Sequence, residues 1–468
     1  MIAFHVHDMA KSLGHHCGVV GVHSKTEKPI PEMLFYGLFS LQHRGQESAG
    51  IAYRKPQEIV VYKDLGMVST VLSRYLEETR LSNIGIGHVR YSTHGGNRIE
   101  NAQPMLVNCN KGKIALAHNG NISNTKSIKS KLEEEGSIFQ STSDSELMLH
   151  LIARSRKPDF REALKETLGL VEGAYSMVMI HDNSLIAVRD PKGFRPLYIG
   201  TKDDLTVVAS ETCALDILQV KEYRSIAPGE MITIDENGMV SEHFASSPRI
   251  SQCVFELIYF ARPDSYVFDR SVHLMRKRMG AALAECDAMR GDIVVPVPDS
   301  GNSAALGYAE ASGIPFEQGL QRNHYAGRSF IMPTTAQREF AVRMKLHPVR
   351  SVIQGKSVIL IDDSLVRGTT SRTLVKLMKE AGAKEVHLRL TSPELKYPCY
   401  FGIDIPTRGE LISNSKNPKE IAKFIGADSV IFLPIDKLRE CVESPNDYCF
   451  ACFSGAYPID IHESLEEE

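Results

Sequence analysis

The sequence has 468 residues, of which 43% are hydrophobic and 24% charged, which is typical of globular proteins and excludes a disordered or fibrous chain. Lysine and arginine number 54 and aspartate and glutamate 57, so the net charge of −3 gives no general reason to bind nucleic acid or an acidic membrane. No apolar run approaches the roughly 18 residues of a membrane span, and the first residues lack the features of a secretory signal. The sequence therefore predicts a cytoplasmic protein.

The first half, up to about residue 247, is predicted to contain short strands joined by tight turns and interrupted by helices. Hairpin turns are expected at residues 182–184 and 236–238. Helices are expected over 31–41 and 143–156, the second beginning with a capping box formed by Ser143 and Glu146. The predicted strands cover 17–22, 58–62, 84–89, 114–118, 175–180, 185–189, 205–209 and 231–235. Strands paired as hairpins with a few helices indicate an antiparallel α+β domain.

The second half, residues 248–468, alternates strands with helices. The strands are predicted at 292–296, 357–361, 385–390 and 429–433, and the helices at 302–311, 370–381 and 418–425. This βαβ order predicts an α/β domain with a parallel sheet covered by helices. We place the boundary between the two domains after residue 247, at a Ser-Ser-Pro break.

Polar residues follow several of the strands in the first half, where a rigid scaffold commonly presents functional groups. Cys17-Gly18 opens the first strand, and Asn119-Gly120 and Asp144 come later in the chain. Taken singly, each has an ordinary structural role: Cys17 as a buried thiol, Asn119-Gly120 as a hairpin turn and Asp144 as a helix cap.

In this order, however, the motifs resemble the N-terminal-nucleophile (Ntn) glutamine amidotransferase domain. The resemblance implies that residues 1–16 are a leader that is removed, that the Cys17 thiol attacks glutamine, and that the freed α-amino group of Cys17 is the base. It also implies that the Asn119 side chain and the Gly120 N–H hold the oxyanion. Glutamine binding would fall to Arg44, Arg90, Thr93, His94 and Asp144.

An acidic loop follows the second strand of the second half, where Asp362-Asp363 precedes a Gly-Thr-Thr turn and a helix. An ordinary βα turn with a helix cap is the alternative. Backbone N–H groups at the start of a helix can hold a phosphate, and adjacent carboxylates suit ribose hydroxyls or a hydrated Mg²⁺. The loop resembles the phosphoribosyl-pyrophosphate (PRPP) motif of type I phosphoribosyltransferases, and residues 297–301 resemble their pyrophosphate loop.

This second resemblance implies PRPP binding by Asp299, Ser300, Lys345, Asp362, Asp363, Ser364, Arg367, Gly368, Thr369 and Thr370. It also implies one Mg²⁺ per subunit, held at Ser300, Asp362 and Asp363. The segment between the two loops, residues 322–350, is strongly basic and contains a single acid, Glu339. Its residues of interest are Arg322, Tyr325, Arg328, Arg338, Arg343, Lys345 and Arg350. A solvated loop would explain it, but its position between two phosphate-binding elements favours a cationic lid.

Nine cysteines in a chain of this length, without a secretory signal, do not suggest a disulfide framework. Cys449 and Cys452 form a C-x-x-C pair, and together with Cys253 and Cys399 they would suit Zn²⁺ or an iron–sulfur cluster about equally. The other four outside the glutaminase motif, Cys109, Cys213, Cys286 and Cys441, are expected to be packing residues.

Both halves together resemble the amidophosphoribosyltransferase family, one branch of which holds a [4Fe–4S] cluster at cysteines in these contexts. The resemblance implies one cluster per subunit at Cys253, Cys399, Cys449 and Cys452, with a structural role because none of these lies in a glutaminase or phosphate motif. It further implies that glutamine and PRPP are the substrates, that purine nucleotides inhibit the enzyme, and that the chain forms homo-oligomers, commonly tetramers.

Three alternative interpretations fit the sequence less well. Other amidotransferases carry a sugar-isomerase or ATP-pyrophosphatase domain, which would lack the Asp362-Asp363 loop. A PRPP-sensing regulator that binds nucleic acid is disfavoured by the near-neutral charge and the missing recognition helix. A catalytically inactive scaffold is disfavoured by the complete set of motifs.

Overall fold

The computed structural model describes residues 17–73, 76–77, 79–91, 98–247, 249–324 and 342–461. Within these ranges the first half forms two antiparallel sheets and the second half a parallel sheet, which confirms both predicted fold classes. No helix in this part of the chain is long and apolar enough to cross a membrane.

Of the described strands, seven form a first antiparallel sheet, with Cys17 directly before its central strand. In sheet order they are β11 (Glu222–Ser225), β9 (Tyr198–Lys202), β10 (Leu205–Ala209), β1 (Gly18–Lys28), β4 (Ser82–Arg90), β2 (Ser48–Lys55) and β3 (Glu58–Leu65). The helix Ile30–Ser40 covers the outer face of this sheet, burying Leu34 and Leu38 against Val20.

A second antiparallel sheet packs against the inner face of the first. In sheet order it contains β13 (Gly238–His243), β12 (Glu230–Asp235), β8 (Ser184–Arg189), β7 (Gly173–His181), β6 (Gly112–Ile122) and β5 (Met105–Cys109). Val19 and Ile86 of the first sheet share a buried cluster with Ala117 and Val178 of the second. The remaining helical segments of this half are Val68–Val71, Ile99–Asn101, Thr125–Glu134, Asp144–Arg154, Phe160–Leu168 and Thr212–Ile217.

The parallel sheet of the second half has apolar clusters on both faces, as expected for a sheet covered by helices. Its strand order is β17 (Ile293–Pro296), β20 (Ser357–Asp362), β21 (Glu385–Leu390) and β22 (Ser429–Phe432). The shorter pairs are β14 (Gln252–Cys253) with β23 (Tyr448–Cys449), β15 (Tyr266–Val267) with β16 (Arg270–Ser271), and β18 (Leu320–Arg322) with β19 (Leu346–Pro348).

The helices of the second half begin with a π-helical segment, Glu256–Phe260, and a long helix, Val272–Glu285. They continue with Asn302–Ser312, Arg350–Ile353, Thr369–Glu380, Arg408–Glu410, Ile412–Ser415, Pro418–Ile425, Ile435–Cys441, Pro445–Asp447 and Ala451–Ser454. Because β17 and β20 are parallel neighbours, the loops that follow them meet at the same edge of the sheet.

Most predicted elements are present, with ends that differ by a few residues. The capping box at Ser143 is wrong, because the Glu146 carboxylate instead accepts hydrogen bonds from the backbone N–H groups of Gln140 and Ser141, both at 2.7 Å. Ser143 still caps the helix by accepting from the Ser145 N–H. Strand β13 ends at His243 and β14 begins at Gln252, and the boundary after residue 247 stays a prediction.

Candidate active sites

Cys17 lies at the centre of the first half, between β4 and the start of the helix Asp144–Arg154. Its Sγ contacts the backbone oxygen of Tyr91 at 3.7 Å. Burial raises the pKa of the Cys17 thiol; the charge of Arg90 lowers it and that of Asp144 raises it. A thiol with a raised pKa needs a base before it can act as a nucleophile.

Arg90 and Asp144, both assigned to glutamine binding by the resemblance, therefore lie close enough to Cys17 to act on its charge. Arg90 is the buried last residue of β4. Asp144 opens its helix, and its Oδ2 accepts a hydrogen bond from the Ile122 N–H at 2.9 Å. A cation and an anion that both act on the charge of a thiol match the two charged groups of a free amino acid.

Asn119 and Gly120 lie within β6 and not in the hairpin turn that was the structural alternative. The Asn119 side chain is fully buried, and neither its Oδ1 nor its Nδ2 has a hydrogen-bond partner among the described residues. Gly120 has a φ of +151°, and a Cβ there would lie 1.9 Å from the Ala174 oxygen. A buried amide without a hydrogen-bond partner, next to such a glycine, is able to donate to a bound ligand.

Hydrogen bonds that the sequence analysis did not foresee fix the strand that carries Asn119. Gln103 Oε1 accepts from the His118 N–H at 2.7 Å, and Gln103 Nε2 donates to Ser145 Oγ at 2.9 Å. The His88 ring contacts the His118 carbonyl at 3.0 Å, and burial lowers the pKa of His88 to about 3. The position of His118 directly before Asn119 was the available signal.

Arg44 is placed differently from the pocket-lining role that the resemblance implies. Its guanidinium is buried and hydrogen-bonded to Glu211 and Glu256, and its Nε donates to the Cys17 carbonyl at 3.1 Å. Arg44 therefore holds the backbone of Cys17, and four of its five N–H donors are used in contacts within the protein. Thr93 and His94 lie outside the described residues.

The predicted PRPP and pyrophosphate loops meet at the carboxyl ends of β20 and β17. Asp363 is hydrogen-bonded to Ser300 and Ser364. Burial raises the pKa of Asp363, while these hydrogen bonds and the charge of Arg276 oppose the rise. Burial and the neighbouring Asp363 also raise the pKa of Asp362. Two carboxyls that repel each other in a buried site are stabilised by a bound cation.

The helix that follows the acidic loop starts from Gly368, whose φ is +75°, and has Thr369 and Thr370 in its first turn. Arg367 forms an ion pair with Glu410 at 2.6 Å. The first N–H groups of such a helix have no partner within the helix and can hold a phosphate, and the predicted PRPP contacts at this position stay a prediction.

In the basic segment between the loops, the described residues make ion pairs at both ends. Arg322 pairs with Asp299 at 2.6 Å, and Arg343 pairs with Glu380 at 2.8 Å. The Lys345 carbonyl accepts from the Asn323 N–H at 2.8 Å. The predicted lid residues Tyr325, Arg328 and Arg338 lie outside the described residues, so the lid stays a prediction.

The four candidate cluster cysteines converge although up to 199 residues separate them. Cys253 and Cys449 are directly paired across β14 and β23. Burial raises the pKa of the Cys452 thiol, and the charges of Cys399, Cys253 and Cys449 raise it further. No three His, Cys, Asp or Glu side chains in the described ranges stand close enough together to hold a single metal ion.

Arg195 supplies a positive charge beside these thiols. Burial raises the pKa of the Cys253 thiol to about 11 and also raises the pKa of the Cys399 thiol. In both cases the positive charge of Arg195 opposes the rise. Its buried Nε finds no acceptor within the part of the chain that the structure describes. A soft all-thiol donor set with a cation nearby fits an anionic iron–sulfur cluster.

The segment that follows Cys399 also touches the strand that carries Asn119 and Gly120, a contact that the sequence analysis did not predict. Asn121 Nδ2 donates to the Tyr400 carbonyl at 2.8 Å, and Arg195 Nη2 donates to the Phe401 carbonyl at 2.5 Å. A Cβ on Gly402 would lie 3.0 Å from the backbone of Gly120. The segment 399–402 therefore packs directly against the strand that carries the expected oxyanion site.

Comparison with known proteins places this chain. Residues 88–216 match a family described as a glutamine amidotransferase domain. The chain is 46% identical to the amidophosphoribosyltransferase of Bacillus subtilis over 97% of this chain and 96% of that relative, and 44% identical to that of Methanocaldococcus jannaschii over 95% and 98%. A solved structure of glutamine PRPP amidotransferase from B. subtilis, complexed with ADP and GMP, is 45% identical, with a TM-score of 0.88 over 95% of this chain and 98% of that one.

The fold is therefore an Ntn glutamine amidotransferase domain followed by a type I phosphoribosyltransferase domain, which defines a glutamine-dependent transferase. The chain belongs to the amidophosphoribosyltransferase family. It is an enzyme of the pentosyltransferase class, and it acts in purine biosynthesis.

Proposed function

We propose that the chain hydrolyses glutamine at Cys17 and transfers the ammonia to C1 of PRPP, giving 5-phosphoribosylamine, glutamate and pyrophosphate, the first committed step of purine synthesis. The observation that carries the first half-reaction is the buried Asn119 amide without a hydrogen-bond partner in the described structure. Such a group is costly unless a ligand satisfies it, and a tetrahedral oxyanion is the ligand that this site is suited to hold.

In the glutaminase reaction the Cys17 sulfur attacks the carboxamide carbon while the α-amino group of the same residue takes the thiol proton. That amino group becomes available when residues 1–16 are removed, and its ordinary pKa of about 7.7–8.0 suits a base near neutral pH. Asn119 Nδ2 and the Gly120 N–H donate to the oxyanion. The proton is passed to the leaving nitrogen, ammonia departs, and water cleaves the remaining thioester to release glutamate.

Substrate orientation in this site follows from the charges on either side of Cys17. The guanidinium of Arg90 would pair with the α-carboxylate of glutamine, and the Asp144 carboxylate would accept from the α-ammonium group. Thr93 and His94 would complete the pocket, whereas Arg44 would act on Cys17 itself.

In the transfer reaction the N–H groups of Gly368, Thr369 and Thr370 would bind the 5-phosphate, and Asp362 and Asp363 would face the ribose hydroxyls. Ser300, Asp362 and Asp363 fit Mg²⁺, because the contact between Ser300 and Asp363 brings three oxygen donors together around two mutually repelling carboxyls. Mg²⁺ would neutralise the diphosphate as it leaves. Asp299, Ser364, Arg367 and Lys345 are proposed to complete the PRPP site.

A structural [4Fe–4S] cluster at Cys253, Cys399, Cys449 and Cys452 is part of this proposal. Four converging thiols, of which Cys253 and Cys452 are buried, would hold such a cluster. No group of three ligands in the described ranges is tight enough for one ion, which disfavours a mononuclear zinc site. We also propose inhibition by purine nucleotides, supported by the ADP and GMP bound to the B. subtilis relative, assembly into homotetramers, and a cytoplasmic location.

Replacing Cys17 with alanine tests the division of labour between the two sites. We expect Cys17→Ala to lose glutamine-dependent synthesis by a factor of at least about 1,000, because the nucleophile is absent, and to keep ammonia-dependent synthesis within about twofold. The measurement is pyrophosphate release from PRPP with glutamine or with an ammonium salt. Loss of both activities in a variant with an unchanged melting temperature would refute the assignment.

A further inference from the structure

The buried carboxylate of Glu256, in the second half, is hydrogen-bonded to Arg44, which in turn contacts the proposed nucleophile Cys17. Glu256 Oε1 and Oε2 accept from Arg44 Nη2 at 2.8 Å and Nη1 at 3.0 Å. Both side chains are fully buried, although 212 residues separate them in sequence. The remaining nitrogen of the same guanidinium, Nε, donates to the Cys17 carbonyl at 3.1 Å.

Further charges close this arrangement and prevent Arg44 from turning. Glu211 Oε1 accepts from Arg44 Nη1 at 2.5 Å, and Arg195 Nη1 contacts Glu256 Oε1 at 3.3 Å. Burial opposes ionisation of Glu211, but His43 and Arg44 hold its pKa below the usual range. Two guanidinium groups and two carboxylates thus balance each other in a fully buried site, where loss of one charge leaves another uncompensated.

The position of Glu256 is itself fixed from the phosphoribosyltransferase side. Glu256 begins the π-helical segment Glu256–Phe260, a rare conformation that often occurs at functional sites. Arg276, buried in the helix Val272–Glu285, donates from Nε to the Leu257 carbonyl at 3.0 Å and from Nη2 to the Ala261 carbonyl at 2.8 Å. The same Arg276 charge acts on Asp363 of the acidic loop.

These contacts bear on catalysis because of where Cys17 would stand after leader removal. A first residue is joined to the chain on one side only, so rotation about its own backbone would move both the amino group and the thiol. A hydrogen bond to its carbonyl holds the peptide plane to which the Cys17 Cα is attached and so limits where both groups can move. A misplacement of about 1 Å can cost about 100-fold in rate.

We infer that Glu256 is a positioning residue for glutamine hydrolysis, orienting Arg44 so that its Nε holds the Cys17 carbonyl. The inference rests on the proposed role of Cys17 as nucleophile. It means that the second half supplies part of the glutaminase machinery, so that the amidotransferase half would be a poor glutaminase by itself.

Glu256→Gln tests the inference, because it keeps the size of the side chain but removes the charge that grips both Nη atoms. We expect kcat for glutamine hydrolysis to fall by about 30-fold or more, with KM for glutamine and ammonia-dependent synthesis each within about threefold of the unchanged enzyme. Rates are referred to the fraction of chains whose intact mass shows Cys17 as the first residue. Glu256→Asp retains the charge and should recover part of the loss.

Glu230→Gln is the matched control. Glu230 is also a buried glutamate hydrogen-bonded to an arginine, Arg224, but it makes no contact with Arg44 in the described structure. We expect this variant to lose stability without a change in the ratio of glutamine-dependent to ammonia-dependent rates.

An unchanged kcat for glutamine hydrolysis in Glu256→Gln would overturn the inference, as would a parallel fall of both activities. If Glu256→Gln does not fold, the same ratio measured for Glu256→Asp decides, and a ratio equal to that of the control overturns the inference. Glutamine-dependent activity in Cys17→Ala would instead show that Cys17 is not the nucleophile. That variant is measured separately, so the two failures can be distinguished.

Discussion

At the scale of one residue, the buried Asn119 amide indicates a binding role and not the hairpin turn that its sequence also allowed. Leaving a buried polar group without a hydrogen bond costs about 1–3 kcal/mol, and both polar atoms of this side chain are in that state among the described residues. Its strand is nevertheless held by the Gln103 and Ser145 contacts to His118. The surrounding structure therefore holds in place a buried amide that a bound ligand could satisfy.

Residue identities at the two sites could be predicted because short motifs carry them. Cys17 directly precedes β1, Asn119-Gly120 lie near the carboxyl end of β6, and Asp362 ends β20, positions from which a strand can present side chains to a ligand. The role of Arg44 could not be predicted, because its carboxylate partners lie 167 and 212 residues away and no local pattern indicates which side chain will face it.

At the residue scale we also expect Asp363→Asn to lower synthesis from glutamine and from ammonia alike. Asp363 joins the two PRPP-binding loops through Ser300, and its loss should reduce the rate by about 100-fold with either nitrogen source. Initial rates of pyrophosphate release measure this effect. Asp428→Asn is the control, since Asp428 lies before the opposite, amino end of strand β22. If Asp363→Asn kept the wild-type rate of synthesis from ammonia, the assignment of this loop to the PRPP site would be wrong.

At the scale of elements, periodicity predicted most strands and the helices that begin or end at clear signals. Pro418–Ile425 agrees at both ends, because Pro418 starts it and Gly426 ends it. The helix Val272–Glu285 was missed because buried Arg276 interrupts its apolar face. The capping box at Ser143 failed because the loop before the helix folds back onto Glu146.

The segment 399–402 joins the proposed cluster to the glutaminase site, and its cysteine can be tested directly. Because Tyr400, Phe401 and Gly402 contact Asn121, Arg195 and Gly120, loss of the cluster should disturb glutamine hydrolysis as well as the fold of the second half. We expect Cys399→Ser to give insoluble or iron-free protein.

Cys109→Ser is the control for this experiment, since half-buried Cys109 lies at the end of β5 away from the other thiols. It should leave iron and sulfide content, visible absorbance and both activities unchanged. A colourless and fully active wild-type preparation that contains zinc would contradict the cluster and leave a structural Zn²⁺ site as the better explanation.

At the scale of the whole molecule, the two halves are joined by one network of buried contacts next to Cys17. Glu256 is hydrogen-bonded to Arg44 and contacts Arg195, which in turn donates to the Phe401 carbonyl. The sequence predicted two fold classes in one chain but not this interlocking, because it arises from residues about 200 positions apart. Such a junction suits a reaction in which ammonia must pass from one site to the other without reaching water.

The central claim is that nitrogen moves from the amide of glutamine to C1 of PRPP within one enzyme. The direct test supplies glutamine labelled with ¹⁵N in its amide, together with PRPP and unlabelled ammonium at a concentration too low to support measurable synthesis alone. We expect labelled 5-phosphoribosylamine, with glutamate and pyrophosphate formed in equal amounts. Unlabelled product, or glutamate released without pyrophosphate in the presence of saturating PRPP, would contradict the account.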